Sequence, residues 1–121
     1  MTFTMEKNGI VHVLRLSGLV DLEVMKAAGS AVAEVRSALR LWVFENATVE
    51  LSQEDIRAVS EHASQQKNVP RKIAIVAPSD LIYGLSRMYG VVRESAASNT
   101  LEIRPFRSEH EAMAWLLEQD E

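Results

Sequence analysis

The residues best suited to contact another molecule follow the most apolar run of the chain. Residues 72–77 read KIAIVA, and the turn Pro78–Asp80 comes directly after them. From Asp80 onward, Tyr83 and Arg87 recur at helical spacing, so they share one side of a helix that begins in this turn. Tyr83 offers an apolar ring and a hydroxyl, and Arg87 offers a planar fork of donors. The pattern predicts a binding surface.

Glu45 is a further candidate, from a neighbouring strand. It follows Leu41–Phe44, a short apolar run that reads as a strand. In open α/β sheets the ligand crevice lies beyond the carboxyl ends of the strands. We therefore expect a ligand or partner to contact Asp80, Tyr83 and Arg87, with Glu45 contributing from the adjacent strand end.

Two plainer interpretations compete with this surface. Tyr83 and Arg87 also fit a solvated helix face with an intrahelical contact. Gly84 leaves room for a ligand or a backbone to approach, but it equally fits close packing of the helix on the sheet. The sequence leaves both alternatives open.

Catalytic and metal-binding arrangements find little support. The three histidines match no metal motif by spacing, and the chain has no cysteine. There is no P-loop, dinucleotide fingerprint or Gly-x-Ser-x-Gly elbow, and Ser79 is better explained as a helix N-cap. Glu45 and Asp80 could belong to a magnesium site like that of a receiver domain. Such a site also needs an acidic pair after the first strand and a lysine after a late strand, and neither is evident in the sequence. We predict a non-enzymatic protein with no metal and no cofactor.

Length and composition narrow the class of protein. The chain has 121 residues, 47% of them apolar and 25% charged, which predicts one globular domain over residues 1–121. The net charge of −4, without a basic cluster, disfavours nucleic acid as a partner. No signal peptide and no apolar run long enough to span a bilayer is present, so a cytoplasmic location is expected.

The strand and helix signals alternate along the chain. Two strand-like runs, Thr2–Glu6 and Ile10–Ser17, flank Asn8-Gly9, which predicts a hairpin with the first run at the sheet edge. Gly18 is expected to end the second run. Later segments predict helices and strands as follows: a helix from Asp21 to Leu39, strand Leu41–Phe44, loop Glu45–Leu51, a helix from Ser52 to Gln66, central strand Ile73–Ala77, a helix from Asp80, loop Glu94–Thr100, strand Leu101–Arg104 and a helix from Ser108.

This β-β-α-β-α-β-α-β-α order predicts an α/β fold. Right-handed crossovers would join a mostly parallel five-stranded sheet with one antiparallel N-terminal strand. Ile75 is expected to be among the most buried residues. Ser52 with Asp55, and Ser108 with Glu111, predict capping boxes at two helix starts.

Three segments carry a family resemblance: KIAIVAPSDLIYGLSRMYG, LWVFENA followed by LSQEDI, and IRPFRSEHEAMAWLLE. They resemble STAS domains, and more specifically the SpoIIAA-like group of small STAS/SEC14-like proteins. The resemblance implies a single STAS domain that acts as a binding or regulatory module. Anti-sigma-factor antagonists of this fold are phosphorylated on a serine at the helix that follows the third strand. Residues 46–52 read NATVELS and lack the Asp-Ser-Ser-Gly-like turn of those proteins, so no phosphorylated serine is assigned.

Two functions stay open from the sequence. The first is a non-enzymatic regulatory or protein-interaction module, which the resemblance implies. The second is a carrier or sensor of a small apolar, lipid-like ligand, as the SEC14-like part of the resemblance implies. Four methionines could line such a cavity or serve as core: Met5, Met25, Met88 and Met113. In native mass spectrometry, extra mass that leaves on denaturation would favour the carrier, and a bare dimer the module.

A homodimer is predicted at micromolar concentration. The helix after Ser52 is mostly polar and buries little of its own surface. The loop before it carries Val49 and Leu51, which would contribute to an exposed apolar patch. Patches of this kind often mark interfaces.

Overall fold

The computed structural model describes residues 3–65, 69–96 and 101–118. The elements are β1 (Phe3–Asn8), β2 (Val11–Val20), α1 (Leu22–Ala33), β3 (Leu39–Val49), α2 (Gln53–Ser64), β4 (Lys72–Val76), α3 (Asp80–Ala96), β5 (Glu102–Phe106) and α4 (Glu109–Leu116). The sheet order is β1-β2-β3-β4-β5, with β1 antiparallel to β2 and all other pairs parallel. This confirms the predicted α/β class, element order and N-terminal hairpin.

The chain order of the strands decides where the helices lie. Each parallel crossover moves one strand further in the same direction, and right-handed crossovers then place α1, α2 and α3 on one face. We call this the crossover face, and it receives Ile73 and Ile75 from β4. The opposite face receives Ala74 and Val76 and is covered by α4, so we call it the α4 face.

The strand expected to be central lies one place away from the centre. β3 occupies the middle of the sheet, and β4 lies between β3 and the edge strand β5. β4 is nevertheless buried along its whole length, as its apolar run indicated. Ile75 is buried, but Leu14 and Leu16 on β2 are enclosed more completely. Any strand that is covered on both faces has a mostly apolar sequence, whether it is the central strand or its neighbour. The composition of a strand therefore does not reveal its place in the strand order.

β2 and β3 are both longer than predicted. Gly18 does not end β2; the register between β2 and β3 shifts there, and pairing resumes from Gly18 opposite Ala47 to Val20 opposite Val49. Gly18 has a φ of +72° and Asn46 a φ of +49°, conformations that these two residue types tolerate best. Residues 45–49, expected to form a loop, therefore belong to β3.

The hairpin turn is displaced by one residue from its expected position. Asn8 pairs with Val11, so Gly9 and Ile10 form the two-residue loop. Gly9 has a φ of +62°. A glycine with positive φ in the first central position is the pattern of a type II′ turn, which follows the twist of the strands.

Two helix ends also differ from the prediction. α1 ends at Ala33 and not near Leu39, because Leu39 is paired in the sheet with Val11 and Lys72. α3 continues to Ala96, into the segment expected to be a loop. At the end of α1, strand pairing outweighed the helical periodicity of the sequence. At the end of α3, the helix continues through a polar stretch that the sequence assigned to a loop.

The helix starts follow their capping signals with one difference. At α2, Ser52 Oγ accepts from the Asp55 amide at 3.1 Å, and Asp55 Oδ2 accepts from the Ser52 amide at 2.9 Å, which confirms the capping box. At α4, Ser108 Oγ accepts from the Glu111 amide at 3.3 Å, but Glu111 Oε1 accepts the Ser108 hydroxyl and not its backbone amide. Only half of the second capping box forms.

The α4 face is closed by one short helix with a large anchor. The Trp115 ring lies 5.6 Å from the Phe106 ring, centroid to centroid. Lys72 Nζ lies 5.0 Å above the Trp115 ring and donates to the carbonyl oxygens of Trp115 at 3.1 Å and Glu118 at 3.4 Å. A lysine at the end of a helix satisfies carbonyls that have no partner within the helix. Within the described ranges, no helix has the length and apolar character needed to cross a membrane.

Candidate functional site

The predicted surface at the start of α3 is organised by a residue that the sequence did not single out. Arg107 Nη2 donates to Asp80 Oδ1 at 2.7 Å, and the Arg107 guanidinium lies 4.4 Å from the centroid of the Tyr83 ring. Arg107 comes from the turn between β5 and α4, so the contact joins two segments distant in sequence. Asp80 is almost fully exposed, and an ion pair of this kind contributes little stability. We call Asp80, Tyr83, Arg87 and Arg107 the Asp80 surface.

Arg87 and Gly84 lie on α3 close in sequence to Tyr83. Arg87 is exposed, one turn beyond Tyr83. A Cβ built on Gly84 would have no neighbour within 4 Å, so close packing on the sheet does not explain this glycine. Gly90 is the glycine that faces the sheet, 3.6 Å from the carbonyl oxygen of Ile103.

Glu45 takes part in a different cluster. Its carboxylate accepts from Arg15 Nη1 at 2.6 Å, and Arg15 also contacts Glu6 and Glu109 at 2.6 Å each. These hydrogen bonds, the one to Glu6 first, hold the pKa of Arg15 above its ordinary value. The cluster joins β1, β2, β3 and α4, so it is a structural tie on the α4 face. The structure does not bring Glu45 into contact with the Asp80 surface.

A second candidate site lies between the sheet and the three crossover helices. It is a cavity of about 80 Å³ with mostly apolar walls. We call it the crossover cavity. Its lining comprises Met25, Gly29, Val32, Arg40, Trp42, Phe44, Val49, Leu51, Ile56, Val59, His62, Ala63, Pro70, Ile73, Ile75, Ile82, Leu85, Ser86, Tyr89 and Arg93.

The position of α2 explains why this space is left open. α2 packs against α1 and α3 and has few close approaches to the strands beneath it. Its buried residues are only Ile56, Val59 and Ser60, because most of its sequence is polar. Val49 and Leu51 line the cavity and are half-buried, so they do not form the exposed patch that motivated the homodimer prediction.

The polar groups of the cavity gather at one end. Arg40 lies at the start of β3, while Tyr89 and Arg93 lie one turn apart near the end of α3. α3 returns antiparallel to the strands, so its last turns meet the amino ends of β3 and β4. Arg93, at this end of the cavity, lies thirteen residues after Asp80 on α3, a distance of about 20 Å along the helix axis. The cavity therefore carries its charge at the opposite end of the sheet from the predicted crevice.

Burial perturbs the ionisable groups at this end. Burial lowers the pKa of Arg40 to about 10, the Tyr89 phenol offsets part of that change, and the positive charge of Arg93 adds to it. Burial also raises the pKa of the Tyr89 hydroxyl above its ordinary value, against the attraction of Arg93. Both groups are thus held among neighbours that solvate charge poorly.

Sequence reasoning missed Arg40 and Arg93. Arg40 interrupts an otherwise apolar stretch, Leu39–Phe44, and a single arginine in a buried strand is the available signal. Arg93 carries no such signal, because its helix positions resemble those of a solvated face. Only the tertiary structure places both residues in the wall of one cavity.

One serine–histidine contact also lies at the rim of the cavity. Ser30 Oγ and His62 Nε2 are 2.8 Å apart and join α1 to α2. Nucleophilic catalysis by such a pair needs a third group that orients the histidine. Among the described residues no carboxylate hydrogen-bonds to His62, so the contact is explained as a tie between two helices.

The comparisons with known proteins concern the fold. The structure is similar to the crystal structure of an uncharacterised protein of the DUF3478 family, with a SpoIIAA-like fold, from Shewanella loihica PV-4. The TM-score is 0.62 at 12% sequence identity, over 94% of this chain and 91% of that chain. No family model and no curated protein sequence matches this chain. The chain thus has the SpoIIAA-like fold that its sequence resemblance implied, and the function must be argued from its own residues.

Proposed function

We propose that this chain is a non-enzymatic binding module that holds a small apolar molecule in the crossover cavity. The observation that carries the proposal is the cavity itself, which lies between the sheet and three helices and has mostly apolar walls. Protein interiors are otherwise packed as densely as organic crystals. Apolar walls offer water no hydrogen bonds, so a space of this kind favours an apolar occupant.

The volume limits the ligand. About 80 Å³ is well above what one water needs, but below the roughly 150 Å³ of an engineered cavity that takes benzene. The space between sheet and helices therefore encloses only part of a ligand larger than benzene, and the rest of an alkyl chain has to extend toward the open side of the cavity. The lining runs from Arg40 to Phe44 along β3, about 13 Å at the rise of a strand, which sets the direction in which such a chain would lie.

The test uses 1-octanol, an uncharged alkyl chain, titrated into the protein by isothermal calorimetry. We expect saturable binding of one molecule per chain. Gly29 lines the cavity, and a Cβ there meets nothing within 4 Å, so Gly29→Leu should fill the space and weaken binding by roughly tenfold or more. Gly84→Leu is the matched control, because Gly84 is an exposed helical glycine outside the cavity.

Two results would contradict the proposal. One is a folded wild-type protein that shows no saturable heat with octanol. The other is Gly29→Leu binding octanol as tightly as Gly84→Leu.

A second proposed role is protein interaction through the Asp80 surface, with a second copy of this chain as the first partner to examine. The supporting observation is the exposed Arg107 stacked on Tyr83, beside Leu81, which is 61% exposed. Aromatic rings and arginines are the residue types enriched at interfaces. Light scattering should then give twice the monomer mass of 13.5 kDa for the wild type. The Tyr83→Ala, Arg87→Ala double variant should be monomeric, and a monomeric wild type at high concentration would remove this role.

A further inference from the structure

Two arginine side chains form part of the wall of an apolar cavity. Arg40 is 6% exposed and Arg93 is 4% exposed, and both line the crossover cavity. A buried charge is costly unless a counter-charge or hydrogen bonds compensate it. The placement of Arg93 in the wall of an apolar space therefore needs an explanation.

The hydrogen bonds of Arg93 are incomplete. Its guanidinium donates to the Tyr89 hydroxyl. Its Nε is buried and has no hydrogen-bond partner within the described part of the chain. Buried donors in folded proteins are nearly always paired, so a buried guanidinium N–H without a partner indicates a missing acceptor.

Arg40 supplies a second guanidinium at the same place. Its Nε donates to Ser37 Oγ at 3.0 Å. Arg40 and Arg93 both line the crossover cavity, and the charge of Arg93 acts with burial to lower the pKa of Arg40. An anion between them would offset both the repulsion and the burial.

Helix geometry explains only part of this arrangement. Arg93 lies in the last turn of α3, where the negative end of the helix dipole favours a cation. That effect accounts for one positive charge near the helix end. It accounts neither for the unpaired Nε nor for a second buried arginine beside it.

We propose that the crossover cavity binds an amphiphilic carboxylate, with its headgroup between Arg40 and Arg93 and its alkyl chain directed toward Phe44 and Ile82. This inference rests on the proposed function, because it assigns a headgroup to the apolar ligand. A carboxylate is planar and accepts two parallel hydrogen bonds from a guanidinium. Tyr89 adds a hydroxyl that can donate to the same group.

The experiment compares octanoate with 1-octanol at neutral pH by isothermal calorimetry on the full chain. The two probes share the alkyl chain and differ in the headgroup. We expect octanoate to bind wild-type protein roughly tenfold or more tightly, since a desolvated charge-assisted pair exceeds the 1.4 kcal/mol that a factor of ten requires. Arg93→Met should remove this preference, measured as the ratio of octanoate affinity to octanol affinity in the same variant. Arg87→Met, an exposed arginine on the same helix, should retain it.

The outcomes separate the two proposals. Saturable octanol binding with no preference for octanoate overturns the carboxylate assignment and leaves the apolar site standing. Absence of binding by either probe overturns the proposed function itself. Equal preference for octanoate in Arg93→Met and Arg87→Met also overturns the assignment. If Arg93→Met fails to fold, the wild-type comparison of octanoate, octanol and octylamine decides, and octylamine must then bind most weakly.

Discussion

The two faces of the sheet bury cations in contrasting ways. On the α4 face, Lys72 is enclosed, and its ammonium donates to two carbonyl oxygens at the end of α4 while lying over the Trp115 ring. On the crossover face, Arg93 is equally enclosed, but its Nε has no partner among the described residues. Lys72 thus satisfies carbonyl groups at the end of a helix, whereas Arg93 keeps a buried N–H donor that makes no hydrogen bond within the described residues. This difference separates a structural charge from a candidate binding group.

The faces also differ in how completely they are filled. One helix of eight residues seals the α4 face, whereas helices of 12, 12 and 17 residues leave a cavity on the crossover face. The amount of helix above a sheet therefore does not determine how well the interface is filled. Large side chains such as Trp115 fill it, while the small residues of α1 and the polar sequence of α2 do not.

The largest effect is expected from removing the anchor of the α4 face. Trp115→Ala should lower the free energy of unfolding by about 3–5 kcal/mol, because it leaves a cavity and removes the contacts with Phe106 and Lys72. Urea denaturation monitored by circular dichroism measures the change. A loss below about 1 kcal/mol would mean that Trp115 is not the element that holds α4 to the sheet.

The two buried cations should respond oppositely to the same substitution. Lys72→Met should cost about 1.5–3 kcal/mol, the range for hydrogen bonds to charged groups. Arg93→Met should leave the ligand-free protein as stable as the wild type or more so, because it replaces a buried, incompletely bonded charge by an apolar side chain. Parallel urea titrations provide the comparison. Equal losses in the two variants would erase the distinction between the faces.

The two helical glycines give a smaller, matched contrast. Gly29→Ala and Gly84→Ala should each raise the free energy of unfolding by about 0.5–1 kcal/mol through helix propensity, since a Cβ meets no neighbour at either position. Gly29→Ala should gain somewhat more, because its methyl group enters the crossover cavity. Thermal unfolding of both variants measures the difference. Destabilisation by Gly29→Ala would indicate that the cavity is already occupied or closed.

The smallest effect concerns pH and the polar end of the cavity. The pKa of Tyr89 is raised above its ordinary value of 10.0 in the folded protein, so below pH 10.0 the hydroxyl makes its full contribution to the free energy of unfolding. Above pH 10.0 the hydroxyl ionises first in the unfolded state. This contribution to stability is then lost as the pH rises toward the pKa of the folded state. The difference in unfolding free energy between wild type and Tyr89→Phe should therefore fall from about pH 9 to about pH 11. Urea titrations across this range test it, and a constant difference would contradict the burial of the hydroxyl.

The sequence predicted what depends on local pattern. The alternation of apolar runs with helical periodicity indicated the nine elements found among the described residues, and Gly9 and Ser52 indicated a turn and a helix start that the structure contains. Strand extents were wrong where the bulge at Gly18 lets β2 and β3 continue pairing, because pairing is a tertiary property. The sequence indicated a mostly parallel sheet but not the order of its strands, so the prediction of β4 as the central strand was wrong.

The candidate site was harder to predict for the same reason. Asp80 and Tyr83 share one segment, so helical spacing sufficed to place them together, yet their partner Arg107 lies 27 residues beyond Asp80. Arg40 and Arg93 line the same cavity only because α3 returns along the sheet. Packing gaps such as the crossover cavity leave no pattern in composition, since the same apolar residues line a cavity and fill a core.

The strand order has a consequence for how the protein forms. Because neighbours in the sheet are neighbours along the chain, each parallel pair can close once its own crossover helix exists, without waiting for distant segments. The crossover face can therefore assemble progressively during synthesis. The α4 face cannot, since Ala74 and Val76 stay uncovered until residues 109–116 arrive. A ribosome stalled before that point would present an apolar sheet surface to the cell, and chaperones that recognise such surfaces would meet this chain there.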